Sequence, residues 1–316
     1  MKQLLLALCL APALALAQGY PSKPLRIVVP FAPGGVADIT TRALAPKLAE
    51  GLGQQVIVEN KPSAGGVAAA LDVARSEPDG YTLLLVTNGT ATSTALYKAL
   101  PYDPVRDFAM ISTIGFFGLA IVTDSKSALR TVGDIIAIAR ASPGKYNIGS
   151  VAVGSTQYLA AALFRSSAGI DMQQVPYKGT PDVFIGLKNH DVEVAVEILA
   201  PLMSNIRSGN LRAVAVTTAK RFPGLPEVPT AIESGLSGFD VAAWNGLAAP
   251  AKTPPDVVER LSRETGKAVA APEVQKRFAE LGVEPRPSSS EELRAFFIAE
   301  SKRWTQVVEK AGIPKQ

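Results

Sequence analysis

A chain of 316 residues, 47% hydrophobic and 19% charged, has ordinary globular composition with enough interior for two cores, which excludes a disordered chain. The net charge of +4 comes from Lys and Arg dispersed among Asp and Glu, with no basic stripe interleaved with aromatics, so nucleic acid is excluded as a partner. Cys9 is the single cysteine, so any chain that begins after it has no thiol to serve as disulfide partner, nucleophile or metal ligand.

Residues 1–17 read as a cleavable secretory signal peptide: Lys2 starts it, a short apolar run follows, and Ala15-Leu16-Ala17 makes a small-x-small cleavage site before Gln18. Pro12 interrupts the run, which is too short for a permanent membrane span.

The β-branched run Ile27-Val28-Val29 predicts a strand that stops at Pro30, turns through Pro33-Gly34-Gly35, and enters a helix with Ile39, Leu44 and Leu48 on one face. Glycines let a backbone approach a ligand, and a helix start offers unpaired N–H groups, so an anion is favoured on this turn. The same tetrapeptide, Gly-Gly-Val-Ala, returns at 65–68 after a strand over 56–60, and a third strand over 81–87 ends in the polar tip Thr87-Asn88-Gly89-Thr90. Two strand-like runs are expected between Phe108 and Val122, the second crossing into another domain. The alternation then restarts: a helix over 132–141, a strand near 147–149, and a helix opened by Gly154-Ser155-Thr156. A strand at Gln174-Val175 ends in Tyr177-Lys178-Gly179-Thr180, with Thr180 as the expected N-cap and Pro181 as first helical residue. Strands over 192–198 and 211–216 follow. A proline-rich irregular crossing then leads to a strand over 241–248 and three closing helices. The last helix carries an apolar stripe of Leu293, Phe296, Phe297, Trp304 and Val307, read as core. Repeated βα alternation in two blocks predicts two α/β domains whose strand ends enclose one cleft.

Enzyme signatures are mostly missing, and an enzyme would have to use Asp38 and Glu197 as paired acid and base. One histidine, His190, rules out a multi-histidine metal site, and no serine has glycine both two before and two after it. What the chain has instead is a set of loop-to-helix junctions built from Gly, Ser and Thr, donors suited to carboxylate oxygens. Asp38 is either a helix-start acid that offsets the dipole or a ligand contact, Lys178 either an exposed turn residue or a counter-charge. Glu197 is either part of a solvated sheet face shared with Glu193 or a cleft residue that accepts from a ligand.

These motifs resemble the substrate-binding proteins of tripartite tricarboxylate transporters, the Bug family of periplasmic receptors. The markers are Pro30-Phe31-Ala32-Pro33-Gly34-Gly35 with Asp38, Val58-Glu59-Asn60-Lys61-Pro62 before Ala64-Gly65-Gly66, and Pro78-Asp79-Gly80-Tyr81. Gly154-Ser155-Thr156-Gln157, Val175-Pro176-Tyr177-Lys178-Gly179 and Trp244-Asn245-Gly246-Leu247 continue them in order. The resemblance implies an α/β, two-domain periplasmic-binding-protein (Venus flytrap) fold, class II-like, with the ligand cleft between domains. It places domain 1 at 18–122 plus 246–316 and domain 2 at 123–245. Carried over by position, Phe31, Gly34, Gly35, Thr87, Asn88, Thr90, Ser150, Ser155, Thr156 and the turn Tyr177, Lys178, Thr180 face the ligand, with Asp38 and Glu197 as further candidates. The family often has His where this chain has Tyr158 and Asp where it has Glu197. The expectation is a periplasmic monomer without cofactor, metal or catalytic residues, which binds a small carboxylate and delivers it to the membrane permease subunits of such a transporter. The alternative is a ligand-dependent co-receptor for a membrane sensor kinase.

Overall fold

The computed structural model describes residues 19–316. The signal-peptide segment 1–17 and Cys9 lie outside the described residues.

The first strand, β1 (Leu25–Val29), is held by burial: Leu25, Ile27, Val28 and Val29 are fully enclosed. Pro30 ends it, and helix α1 (Val36–Leu52) turns Leu44 and Leu48 into the core before closing at Gly53 in the left-handed region. β2 (Val56–Asn60) lies parallel to β1, α2 (Val67–Ala74) follows, and β3 (Thr82–Thr87) lies parallel on the other side of β1. The polar tip after β3 is no loop. Helix α3 (Asn88–Leu96) starts there directly, in a run of Gly, Thr and Ser whose propensity argues against a helix. Its residues are almost all buried, so packing supplies what propensity lacks.

Between Phe108 and Val122 the two expected runs are one strand, β4 (Phe108–Asp124). Gly115 sits inside this strand, with residues 283–285 packed against it: an added Cβ would lie 2.8 Å from Val283 Cγ1 and 2.9 Å from Glu284 O. The second block contains α4 (Val132–Ala141), β5 (Asn147–Val151), α5 (Thr156–Ala168), β6 (Gln173–Tyr177), α6 (Thr180–Asn189), β7 (Val194–Ile198), α7 (Leu199–Arg207) and β8 (Leu211–Val216). β5 runs parallel to both β6 and β7. The N-cap of α6 is Gly179, in extended conformation, and Thr180 lies inside the first turn.

After the irregular crossing, where Thr217 Oγ1 donates to Val241 O at 2.7 Å, β9 (Ala242–Pro250) inserts antiparallel between β3 and β4. Then come α8 (Pro255–Ala270), α9 (Pro272–Glu280), the short β10 (Val283–Pro285), which the sequence reading lacked, and α10 (Ser290–Lys310). α10 opens with a Ser289/Glu292 capping box and packs on α3, burying Leu293, Phe297 and Trp304 as its stripe predicts.

Strand order is β2-β1-β3-β9-β4-β7-β5-β6, with β10 and β8 also on β4. β4 pairs with β9 through Gly118 and with β7 and β8 from Leu119 onward, so one strand serves two lobes. Each lobe is an α/β sandwich, and the strands that lead into loops facing the other lobe do so at their carboxyl ends.

Candidate functional site

A cavity of about 360 Å³ opens where the ends of β1, β2 and β3 in one lobe meet those of β5 and β6 in the other. Its wall is built by Phe31 after β1, Ser63, Gly65 and Gly66 after β2, Thr87 and Gly89 at the β3–α3 junction, residues 151–155 after β5, and Lys178 after β6. Helices α2, α3 and α5 all start at this wall, their N-caps being Gly66, Thr87 and Ser155. The first N–H groups of a helix have no intrahelical partner and carry the positive end of its dipole. Among the described residues the wall contains no Asp or Glu and one cation, Lys178, which is exposed. Neutral donors, one positive charge and the apolar faces of Phe31, Pro62 and Val153 suit a small anion with a carbon skeleton.

The lobes touch beside this space through glycines. A Cβ on Gly154 would lie 3.3 Å from Gly65 Cα, and one on Gly89 would lie 3.0 Å from Gly154 O. Gly65 and Gly154 also adopt left-handed backbone, φ 59 and 87, so both requirements, space and conformation, select glycine here.

Phe31, Thr87, Ser155 and Lys178 are thus brought together in the wall. Gly34 and Gly35 are exposed on the first loop and do not line it; the second Gly-Gly copy does. Asp38 is buried behind that loop, its Oδ2 accepting from Gly34 N at 2.9 Å and its Oδ1 from Arg42 Nε at 2.9 Å and Asn60 Nδ2 at 3.0 Å. With those donors in place it holds the loop and is not part of the wall. Asn88 turns into the core: Nδ2 donates to Glu300 Oε2 at 3.1 Å and Oδ1 accepts from Trp244 N at 3.1 Å. Thr90 Oγ1 accepts from Thr87 N at 3.3 Å, closing the start of α3. Ser155 Oγ accepts from Tyr158 N at 3.1 Å as the cap of α5, and Thr156 is buried in the turn it begins. Ser150 is buried at the end of β5, within 3.4 Å of Gln174 Nε2. The Tyr177 ring packs over Gly149 and Gly186, inside its own lobe.

Glu197, the next-to-last residue of β7, is fully buried, so it belongs to no solvated face. Its Oε1 accepts from Gln157 Nε2 and from Ile198 N, both at 2.7 Å, while Oε2 has no donor at bonding geometry. Burial pushes the carboxyl up to about 7, against the pull of Gln157, the Ile198 N–H and the Thr180 hydroxyl.

A larger groove of about 940 Å³ opens elsewhere, between α7, the 218–224 segment, β10 and α10. Many of its charges are already paired within the protein, as in Arg286 with Glu284 at 2.7 Å and Arg303 with Glu300 at 3.3 Å. It gathers none of the loops after β1, β2, β3, β5 and β6 where the two lobes meet, so size does not make it the candidate site.

Pro62, Ser63, Gly65, Gly66 and residues 151–154 line the wall without having been expected as ligand contacts, although both glycine junctions are visible in the sequence as helix openers. The signal available was the repeated Gly-Gly-Val-Ala, of which the second copy is the one at the wall.

The family model described as "Tripartite tricarboxylate transporter family receptor" matches residues 40–313. Protein BugT of Bordetella pertussis is 35% identical over 298 residues, covering 94% of this chain and 91% of its own. The solved structure of the periplasmic binding protein BugD superposes with a TM-score of 0.86 at 33% identity, covering 94% of this chain and 100% of that one. An R. palustris protein solved with adipate gives a TM-score of 0.87 at 32% identity over the same shares of the two chains.

Proposed function

The chain belongs to the tripartite tricarboxylate transporter receptor family, periplasmic solute-binding receptors and not enzymes, and from that premise we propose that it binds a small carboxylate between its lobes and delivers it to the membrane permease of such a transporter. The observation that carries this reading is the wall itself: three helix starts, hydroxyls and one lysine around a space of about 360 Å³, with no acid among the lining residues. Adipate in the R. palustris relative supports a dicarboxylate as the first ligand to try. Each charge-assisted hydrogen bond to a carboxylate oxygen contributes about 1.5–3 kcal/mol, so a few main-chain donors account for micromolar affinity without any bond being made or broken.

In this proposal residues 1–17 are removed on export, and the lobes are 18–122 plus 246–316 and 123–245. The pairing switch of β4 at Gly118/Leu119 supports a crossing on that strand. Closure of the lobes over the ligand, driven by tighter binding to the closed state, presents a composite surface that the permease reads. The test is a thermal-shift titration of the purified protein with adipate, malate, citrate, benzoate and glutamate. At least one acid is expected to raise the midpoint in proportion to RT ln(1 + [L]/Kd). No shift with any of the five at millimolar concentration overturns the assignment.

A further inference from the structure

Among the described residues, Glu197 is the one buried acid with a carboxyl oxygen that is enclosed and has no partner. Oε1 takes two donors and Oε2 takes none, although the atom is enclosed. An ionised carboxylate wants donors at both oxygens, whereas a neutral acid carries its proton on one oxygen and accepts at the other. An enclosed oxygen without a donor penalises the charged form more than the neutral one, so these surroundings favour the neutral acid. Its surroundings connect it to the cavity through short segments: Gln157 is two residues beyond Ser155 at the start of α5, and Thr180 two residues beyond Lys178 at the start of α6, with Ser155 and Lys178 both in the wall.

An anion placed in that cavity is therefore a like charge near an acid already starved of solvent, and like charge disfavours ionisation. We propose that carboxylate binding in this cavity is coupled to uptake of a proton from solvent onto Glu197, so that the receptor holds its ligand with Glu197 neutral and releases it more readily once Glu197 is ionised. This rests on the carboxylate reading of the cavity and adds a regulation to it. The elements packed about Glu197 carry Tyr158 and Arg165 on α5, Tyr177 and Lys178 at the β6–α6 corner, Asp182 and Lys188 on α6, Glu193 just before β7 and Asp124 at the end of β4, and none of these charges contributes to the Glu197 shift; β4 sets Ala120 opposite. His190, the chain's one histidine, is exposed at the far end of α6.

The sign follows from linkage. With the free protein titrating near neutrality and the complex titrating higher, Kd is flat at low pH and rises as pH passes the free value, by about tenfold from pH 6 to pH 8. The carboxyls of adipate, malate, benzoate and glutamate are essentially ionised across that range and add little slope, whereas the third carboxyl of citrate still titrates at its lower end, so the slope is read with the other four acids.

Two measurements test it. The first needs no ligand: the side-chain carboxyl carbon of Glu197, assigned by its loss in Glu197→Gln, is followed by NMR in the free protein and is expected to titrate near neutral pH. A midpoint in the ordinary glutamate range overturns the proposal. The second is calorimetry with the five panel acids at pH 7 in phosphate and in Tris, whose ionisation heats differ. The wild type is expected to show buffer-dependent heat equal to about half a proton taken up per ligand bound, and Glu197→Gln to lose both that uptake and the pH slope of Kd. Binding that is buffer-independent and flat in pH overturns the coupling and leaves the carboxylate reading standing. Absence of binding by every acid at every pH overturns both.

Discussion

The glycine contact between lobes makes a prediction in which stability and affinity move in opposite directions. Gly89 is the second residue of α3 and does not take left-handed backbone, so alanine fits its conformation. Within the helix the change removes a poor helix former and contributes up to about 1 kcal/mol of stability to its lobe. Across the lobes, the new Cβ would stand 3.0 Å from Gly154 O, roughly half an ångström inside ordinary carbon contact. The acceptor is backbone and cannot swing away, so either the lobes stay apart or the contact is compressed. Forcing an added methyl into such a gap costs about 1–3 kcal/mol, a loss of roughly five- to 150-fold in affinity for any ligand that needs the lobes together. The assay pairs the melting midpoint of ligand-free Gly89→Ala with calorimetric Kd for whichever panel acid binds the wild type. The expected result is a midpoint equal to or above wild type and a weakened Kd. A folded variant that binds as tightly as wild type refutes the argument that ligand binding brings Gly89 and Gly154 into contact.

Three further outcomes follow from single side chains. Lys178→Ala removes the one cation of the wall from an exposed position, so it is expected to leave the unfolding midpoint in place, weaken carboxylate binding about tenfold and flatten its dependence on sodium chloride, read by titration at several salt concentrations. Asp38→Ala strips the acceptor from Gly34 N, Arg42 and Asn60, and with Asp38 buried this is expected to cost about 2–3 kcal/mol of stability in urea denaturation; an unchanged midpoint would show the first loop holds itself. Glu197 has a folded value near 7 against an ordinary 4.5, so its contribution to stability is fully present below pH 4.5 and is lost as pH rises from there to about 7, roughly 3 kcal/mol in all. The measured quantity is the stability of wild type relative to Glu197→Gln between pH 5 and 8, which should fall with pH and then level off.

The βα framework was legible because its signals are local: β-branched runs, glycine turns and helical spacing each occupy a few neighbouring residues. α3 was not, since Asn88, Gly89 and Thr90 read as a turn by propensity and become helix only through burial against α10, with Glu300 bonding Asn88 across 212 positions of sequence. β4 read as two strands because its halves serve different lobes, pairing with β9 up to Gly118 and with β7 from Leu119, and a change of partner within one continuous strand leaves no local mark; β10 is too short to announce itself by pattern. For the site, residue type pointed to corners that meet at the cavity, but which atoms face it depends on how each corner is braced from behind.

That bracing has a common form. Asp38 ties the loop after β1 through Gly34 N, Asn88 ties the β3–α3 junction to Glu300 and to Trp244 N, and Glu197 ties the start of α5 through Gln157. In each case the most polar side chain of the corner is spent inward, and what remains on the cavity side is backbone, hydroxyl and aromatic ring. A receptor built this way has few side chains with which to choose among carboxylates, because main-chain N–H groups bind any of them. Selection must then fall on what differs across the space: the volume between Phe31 and residues 151–154, the reach of Lys178, and the charge state that Glu197 imposes on the second lobe. Substitutions at those places should exchange one acid for another, whereas substitutions at Asp38 or Asn88 should weaken all acids together, and a ligand panel run on both sets separates the two kinds of residue.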